Sequence, residues 1–259
     1  MSSAATDVAF ACESVRKEFG SGPESRGVLE LSLSVAAGEF LTIVGGSGVG
    51  KTTFLRVLGG LTPCTAGSVS HKGRPVAGPP DGVVMVFQDY GRSLLPWRTV
   101  EKNVALGLEG GDVATAERQR RIDDALGRVG LLDSRRQYPW QLSGGMQQRL
   151  QIARALAVEP DALLMDEPFG SLDAITKASL QDELLKLHAA SQKTIVFVTH
   201  DVDEAIYLGD RVVVLAGRPA GISREFDVSL PRPREQLETR ELSEFLELRH
   251  EVHLAMGHA

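Results

Sequence analysis

Short apolar runs rich in β-branched residues alternate along the chain with longer segments whose apolar residues recur every three or four positions. The first pattern predicts β-strands and the second predicts helices, so the chain is expected to be an α/β protein. Residues 29–35 alternate between apolar and polar, which predicts a half-exposed antiparallel strand. Continuous apolar runs predict strands covered on both faces, at residues 40–44, 83–87, 162–165, 194–198 and 211–215.

Helices are predicted between these strands, at residues 51–58, 114–129, 143–158 and 173–190. In the last of them, Leu180, Leu184 and Leu187 are spaced to share one helix face. Residues 89–141 show helical patterns and no strand pattern, so we interpret residues 89–159 as a helical subdomain inserted into the α/β core.

The organisation that follows is a single domain over residues 1–259 with no internal repeat. Residues 1–88 and 160–230 are expected to form the core together with an antiparallel β subdomain. Residues 231–259 are expected to form a C-terminal linker and helix, since Leu-Pro-Arg-Pro-Arg at 230–234 precedes a charged helical segment. The apolar stripe of that helix is predicted to be Leu242, Phe245 and Leu246, and a packing role is expected of it.

Composition narrows the classes of function. The formal net charge of −6 disfavours a nucleic-acid partner, which would require a basic surface. Cys12 and Cys64 are far apart and suggest neither a disulfide framework nor a metal site. Residues 1–7 lack the pattern of a signal peptide, and the longest apolar runs are too short to span a bilayer. We therefore expect any membrane role to be exercised through a partner.

One glycine-rich segment matches the phosphate-binding P-loop, or Walker A, pattern G-x-x-x-x-G-K-[ST] between a predicted buried strand and a helix. Its backbone N–H groups and the helix N-terminus can cradle phosphate oxygens. Lys51 is expected to reach the β- and γ-phosphates, and Thr52 to offer its hydroxyl to Mg²⁺. The alternative is a glycine-rich turn without a ligand. The segment consists of Gly45, Gly46, Ser47, Gly48, Val49, Gly50, Lys51, Thr52 and Thr53.

Two acids end the apolar strand at residues 162–165, and a histidine follows the strand at 194–198. Asp166 is expected to help hold Mg²⁺, while Glu167 is a candidate general base that polarises the attacking water. His200 lies at the carboxyl edge of the predicted sheet, where ligands bind in open α/β sheets. It is expected to contact the γ-phosphate and to hold Glu167 and the water in line, although a structural or exposed histidine is the alternative.

A second glycine motif, Leu-Ser-Gly-Gly-Met-Gln-Gln-Arg, occurs at residues 142–149. It resembles the signature motif of ABC transporter ATPases. Physically, Ser143 can cap a helix whose first glycines, Gly144 and Gly145, expose backbone donors to an anion. The resemblance implies that this segment serves the ATP of a partner subunit, giving two composite sites per dimer. Met146 replaces the glutamine of the commonest form, and little effect is expected. This signature segment consists of Leu142, Ser143, Gly144, Gly145, Met146, Gln147, Gln148 and Arg149.

Further matches to the family follow in its order, and the likeness extends over residues 8–228. Phe19 resembles the aromatic residue that stacks on adenine, where tyrosine is commoner, although a surface phenylalanine near a turn is an alternative. Gln88 resembles the loop glutamine that contacts Mg²⁺ and water. Residues 171–173, which end in Asp173, resemble the loop that crosses the dimer interface.

A narrower resemblance is to the nitrate, sulfonate, taurine and bicarbonate importer group. It rests on residues 88–90, on Leu-Leu-Pro-Trp at 94–97 and on residues 228–234. In the family the stretch at 94–97 lies near the coupling helix of the permease. An alternative places Leu95 and Trp97 in the core of the helical subdomain, and for Trp97 both interpretations stay open.

The resemblance implies an ATPase that uses ATP and Mg²⁺ and works as a homodimer. Its partners would be two transmembrane permease subunits and an extracytoplasmic solute-binding protein, with no nucleic acid. It would lie at the cytoplasmic face of the inner membrane, bound through the permease and soluble when isolated, and would energise uptake of a small anion such as a sulfonate, nitrate or taurine.

Three rival functions are less consistent with the sequence. A GTP-binding switch usually carries Asn-Lys-x-Asp, but the only asparagine, Asn103, is followed by Val104. A DNA-repair or chromosome ATPase would carry a long coiled coil between the two glycine motifs. A scaffold that binds ATP without turnover would not need Lys51, Asp166, Glu167 and His200 together.

Overall fold

Two β-sheets and the helices between and around them make up the fold, as seen in a computed structural model that describes residues 7–20, 26–111 and 113–257. A four-stranded antiparallel sheet has the order β2-β1-β4-β5, and a six-stranded sheet has the order β10-β9-β3-β8-β7-β6. Strand β10 pairs antiparallel at the edge of the second sheet, and the other five strands run parallel. The α/β prediction, with a parallel core and an antiparallel β part, is confirmed.

The element bounds agree closely with the predicted segments. In chain order the elements are β1 Val8–Phe19, β2 Arg26–Ala36, β3 Phe40–Gly45, α1 Lys51–Leu58, β4 Ala66–His71, β5 Arg74–Pro75, β6 Val83–Val86, α2 Tyr90–Ser93, α3 Val100–Ala105, α4 Thr115–Arg128, α5 Gly144–Ala157, β7 Ala162–Asp166, α6 Ala174–Ser191, β8 Thr194–Val198, α7 Val202–Leu208, β9 Arg211–Ala216, β10 Gly221–Asp227, α8 Glu238–Glu241 and α9 Ser243–Gly257.

Strand β2 shows the predicted alternation, since Leu29, Leu31, Leu33 and Val35 are buried and the residues between them are exposed. It pairs antiparallel with β1, as the period of two indicates. Of the N-terminal segment that was examined for a signal peptide, residues 1–6 lie outside the described part of the chain.

The central strand β3 is buried along its whole length between β8 and β9. Its side chains alternate between two cores. Phe40 and Val44 face the core shared with the helices of residues 90–157. Leu41 and Ile43 face a core shared with α1 and the antiparallel sheet. Helix α1 thereby lies between the two sheets, and its first residue sits at the carboxyl end of β3.

Residues 90–157 contain helices and turns and no strand in the part that the structure describes. Helix α4 buries Ile122, Ala125 and Leu126 at the spacing of one helix face, while its polar face carries ion pairs from Glu117. The predicted helical segment is therefore present. Its division from the core as a separate subdomain stays a prediction.

The C-terminal predictions were partly wrong. Leu246 is 41% exposed, whereas Phe245 is buried as predicted and Val252 is buried as well. The predicted linker is packed: Arg234 is 7% exposed and donates to the carbonyl oxygens of Ile206, Tyr207 and Gly209 at 2.8–3.2 Å. The guanidinium satisfies the carbonyl groups at the end of α7 and holds this stretch against the core. No described helix has the length and hydrophobicity needed to cross a bilayer.

Candidate functional site

The phosphate loop, residues 45–53, connects the carboxyl end of β3 to the first turn of α1. A side chain at Gly45 would place its Cβ 2.5 Å from the carbonyl oxygen of Leu215, so only glycine allows this close approach of β3 to β9. Gly48 and Gly50 have φ values of 73° and 115°, which other residues rarely adopt. Gly45, Gly48 and Gly50 are therefore required by the backbone, and the loop leaves the N-terminus of α1 open toward a ligand.

The side chain of Lys51 is held over the phosphate loop by carbonyl groups of the loop itself. Its Nζ donates to the carbonyl oxygens of Gly45 at 2.8 Å and Gly46 at 3.1 Å, and the residue is 6% exposed. Burial lowers the pKa of Lys51, and the charges of Glu167 and Asp166 only partly oppose this effect. A buried ammonium group of this kind favours the arrival of an anion beside it.

Asp166 ends β7 beside Thr52, whose hydroxyl donates to its Oδ1 at 3.1 Å. The carboxylate is almost fully buried, and this burial raises its pKa, with a smaller contribution from the neighbouring charge of Glu167. A buried carboxylate and a hydroxyl in contact form an oxygen donor set that fits a hard cation such as Mg²⁺.

Glu167 follows in a strained backbone conformation. Its φ is 46°, in the left-handed region that costs a residue with a side chain about 1–2 kcal/mol. Its N–H donates to the carbonyl oxygen of Val198 at 2.9 Å, which holds this turn against β8. Its Oε2 lies 3.0 Å from His200 Nδ1 and accepts from Gln88 Nε2 at 3.3 Å. The turn thereby places the carboxylate in contact with His200, its predicted partner, and with Gln88.

An open cleft of about 530 Å³ joins these groups. Residues 47–53 form one wall, and Gln88, Glu167 and His200 line the remainder. The structure thus brings together the predicted phosphate loop, the candidate general base and both of its neighbours, with Asp166 behind Thr52.

The residues on either side of His200 belong to a further network that no sequence pattern predicted. Thr199 donates its hydroxyl to Glu204, which is 3% exposed, and accepts from the N–H of Asp201 at 3.0 Å. Lys177 pairs with Asp201 at 2.7 Å and with Glu204 at 3.2 Å. No sequence pattern indicated this buried acid, because its partners come from α6 and from the turn after β8.

The predicted residues Phe19, Ser143, Gly144, Gly145 and Asp173 are not among those that line this cleft. Phe19 ends β1 with 49% of its surface exposed, and the Nζ of a neighbouring lysine lies 4.9 Å from its ring centroid. Ser143 caps α5 by accepting from the N–H of residue 146 at 3.3 Å. Asp173 caps α6 by accepting from the N–H of residue 176 at 3.0 Å.

The signature segment and the loop at residues 171–173 touch each other within one chain. The hydroxyl of Ser171 donates to Oε1 of Gln148 at 2.6 Å, and Gln148 is 2% exposed. A Cβ on Gly145 would lie 3.2 Å from Leu172. Sequence reasoning had assigned these two loops to the same interface without predicting their direct contact, and Gln148 is the residue that makes it.

Trp97 is 71% exposed, so the interpretation as a core residue is wrong for this side chain. Leu94, at the other end of the same stretch, is 4% exposed and anchors it, and Leu95 is half-buried. The stretch therefore presents one large aromatic side chain to solvent.

Comparison with known proteins extends this picture. A family model described as ABC transporter matches residues 28–170. The nitrate import ATP-binding protein NrtC of Synechococcus elongatus is 44% identical over 226 residues, which is 86% of this chain. The chain spans only about a third, 34%, of the length of NrtC. The nitrate import ATP-binding protein NrtD of the same organism is 42% identical, and the match covers 86% of this chain and 82% of NrtD.

A solved structure with the same fold is the dimer of the ATP-binding cassette MJ0796 in a post-hydrolysis state, bound to ADP and Pi. It superimposes with a TM-score of 0.77 at 33% identity, covering 85% of this chain and 98% of that chain.

Proposed function

The chain belongs to the ABC transporter family and is an ATPase of that family, and from this premise we propose that two copies close around Mg²⁺–ATP to drive a separate permease. The observation that carries the proposal is the separation of two anion-binding segments. The phosphate loop lines a cleft with Glu167 and His200, whereas the signature segment lies outside that cleft. A second copy, placed head to tail, would supply the missing segment.

The chain's own residues account for binding of the triphosphate. Backbone N–H groups of residues 48–52 and the ammonium group of Lys51 would hold the β- and γ-phosphates. Thr52 and Asp166 would hold Mg²⁺, with Gln88 completing the oxygen donors. The bound ion would neutralise charge that develops on the phosphate oxygens. Phe19 would stack on adenine, since it ends β1 with an exposed aromatic ring.

Hydrolysis would depend on the turn that holds Glu167. Its carboxylate would accept a proton from, or polarise, the attacking water. His200 and Gln88 would keep that carboxylate in place through the contacts at 3.0 and 3.3 Å. Closure of the second copy would expel bulk water and strengthen the electrostatic effect of Lys51 on the transition state. Release of phosphate would then let the two copies separate.

The exposed Trp97 supports a permease-binding surface beside Gln88, at residues 94–97. Through that surface, closure of the dimer would move two transmembrane subunits, and the chain would lie at the cytoplasmic face of the inner membrane. The solute, delivered by an extracytoplasmic binding protein, would be a small oxyanion or a related anion such as nitrate, sulfonate, taurine or bicarbonate. This is supported by the two nitrate import proteins to which the chain is similar.

The decisive experiment removes the charge of the general base and preserves its shape. Glu167→Gln is expected to lower steady-state hydrolysis by about a hundredfold or more, because the attacking water loses its proton acceptor. ATP should then accumulate in a long-lived dimer, measured by gel filtration with ATP and Mg²⁺. Glu251→Gln on α9, which removes only an ion pair with Arg224, is the control and should hydrolyse ATP normally. A Glu167→Gln protein that stays monomeric and hydrolyses ATP normally would overturn the assignment.

A further inference from the structure

Two aromatic rings stack on each other immediately before the signature segment. The ring centroids of Tyr138 and Trp140 lie 6.0 Å apart, with 15° between the ring planes. Trp140 is 70% exposed and Tyr138 is 37% exposed. Stacked rings left open to solvent form a flat apolar surface, and neither the phosphate site nor the proposed permease surface includes them. We refer to these two residues as the aromatic pair.

The aromatic pair is fixed to the start of α5. Tyr138 donates its N–H to Oε1 of Gln141 at 2.8 Å, and Leu142 donates its N–H to the carbonyl oxygen of Pro139 at 3.0 Å. Gln147 of α5 donates Nε2 to the carbonyl oxygens of Pro139 and Leu142 at 3.0 and 3.3 Å. The position of the rings relative to the helix N-terminus is therefore set by hydrogen bonds on both sides of Trp140.

The distance from Ser143 to Trp140 along the chain is comparable to the distance from the terminal phosphate of a nucleotide to its base. Trp140 precedes Ser143 by three residues, which span at most about 10 Å. In the proposed dimer, Ser143 meets the terminal phosphate of the ATP bound to the partner. The base of that nucleotide lies at the far end of its triphosphate and ribose, a comparable length away. The aromatic pair is then the part of the incoming chain that can reach the base.

We propose that Trp140, supported by Tyr138, stacks on the face of the adenine held by the partner copy, so that the base is enclosed between Phe19 of one copy and Trp140 of the other. This inference rests on the proposed function, because it requires the head-to-tail dimer. The incoming copy would then contact each nucleotide through three residues, namely Ser143, Gly145 and Trp140. The base thereby becomes part of what holds the two copies together.

The chemistry of the pair favours a nucleobase as occupant. The exposed indole of Trp140, backed by Tyr138, presents a π-face, and a purine offers a matching flat face of similar size. Stacking makes no hydrogen bond to the edge of the base and so discriminates weakly between purines. The aromatic pair is also continuous with the signature segment, whereas the proposed permease surface is centred on Trp97. GTP should accordingly support closure nearly as well as ATP.

Intrinsic fluorescence can follow the contact, because the chain has only two tryptophans and both are exposed to nearly the same extent, at 70% and 71%. In the Glu167→Gln background, Trp97→Phe leaves Trp140 as the sole indole, and Trp140→Phe leaves Trp97. Addition of ATP and Mg²⁺ should quench Trp140 emission, with an amplitude that rises with protein concentration as dimers form. Trp97 emission should change little.

Steady-state ATPase kinetics of Trp140 variants, made in the full chain without the Glu167→Gln change, distinguish stacking on the base from a merely structural role of Trp140. Trp140→Ala should raise the KM for ATP about fivefold, as expected for loss of one stacked base contact, with little change in kcat. Trp140→Phe should restore most of the affinity. With ribose 5′-triphosphate, which lacks a base, the Trp140→Ala and unmodified proteins should have the same KM.

The outcomes distinguish this inference from the proposed function. A Glu167→Gln dimer seen by sedimentation, with no quenching of Trp140 and no change in KM for Trp140→Ala, would overturn the inference alone. Quenching that is independent of protein concentration would also overturn it, because it would place the base beside Trp140 of its own copy. Failure of any dimer to form with ATP would overturn both.

Discussion

Asp166 and Glu167 are adjacent in the chain, but their surroundings give them different chemistry. Asp166 is buried at the end of β7, and that burial raises the pKa of its carboxyl group. Glu167 turns out of the strand with a positive φ and keeps 18% of its side chain exposed, in contact with His200. A buried acid suits a fixed cation ligand, and a partly exposed one can meet a water molecule.

The raised pKa of Asp166 leads to a prediction about stability. A carboxyl group whose pKa is higher in the folded protein stabilises the fold below its unfolded pKa, and this stability is lost as the pH rises through the folded value. At pH 7 the ionised, buried Asp166 therefore destabilises the nucleotide-free protein. Asp166→Asn keeps an acceptor for Thr52 without the charge, so its Tm should be higher than wild type at pH 7, and the difference should disappear as the pH falls below about 4.

Asp161 provides the matched control for this experiment. Its hydrogen bond with Lys72 lowers the pKa of its carboxyl group, the opposite direction from Asp166. Asp161→Asn should therefore leave the Tm unchanged or lower it slightly at pH 7, because the pair is exposed. Thermal unfolding followed by circular dichroism across this pH range would measure both variants. An Asp166→Asn protein less stable than wild type at pH 7 would contradict the argument.

At the scale of elements, the strands buried on both faces were predicted well because their apolar runs are continuous. Strand β8 has the predicted bounds, and β3 and β9 differ from prediction by one residue each. Strand β1 was not predicted, because its pairing with β2 shifts register between Cys12 and Val15 and Ser14 has a φ of 47°. Such a bulge breaks the period of two on which strand prediction depends.

The terminal helix shows the corresponding limit for helices. Its apolar residues offer more than one possible stripe, and the choice depends on the surface that it meets. In the fold, α9 packs Phe245, Leu248 and Val252 against the core, while Leu246 stays exposed. The sequence alone contains no information about that surface, so the selected stripe was wrong by one side chain.

Asp173 caps helix α6 and also ends the loop that is proposed to cross the dimer interface. It accepts the N–H of Thr176 at the start of α6, and this bond lowers the pKa of its carboxyl group. Asp173→Ala removes the cap and should lower the Tm by about 2–4 °C, whereas Asp173→Asn, an equally good cap, should preserve it. Differential scanning calorimetry at pH 7 would compare them. Equal Tm values for all three proteins would show that the cap contributes nothing measurable.

At the scale of the whole molecule, a parallel sheet brings distant sequence positions to one edge. Gly45 precedes both Asp166 and His200 by more than a hundred residues, yet β3, β7 and β8 end together. This rule made one half of the site predictable from the sequence. The other half was not derivable from spacing, because Ser143 and Asp173 cap helices away from the cleft and a single chain gives them no ligand. Their proposed role depends on a second copy.

That dependence can be tested by mixing two inactive proteins. Lys51→Ala disables the phosphate loop and leaves the signature segment intact, while Ser143→Arg places a bulky cation at an exposed cap and leaves the phosphate loop intact. In a head-to-tail pair of the two variants, one site combines both defects and the other combines both intact halves. Each variant alone should be inactive. A 1:1 mixture should recover about a quarter of wild-type ATPase activity, since half of randomly formed dimers carry one working site of two.

The recovery of activity in the mixture could not occur if Ser143 acted on the nucleotide bound to its own chain. If Ser143 served the nucleotide of its own chain, each chain in the mixture would carry one defect in its only site, and activity would stay at the level of the separate variants. Phosphate release measured at several mixing ratios should instead peak at equal amounts and vanish at either end. Because a double variant, with both defects in the same chain, adds no intact half, mixing it with either single variant should recover nothing and provides the control.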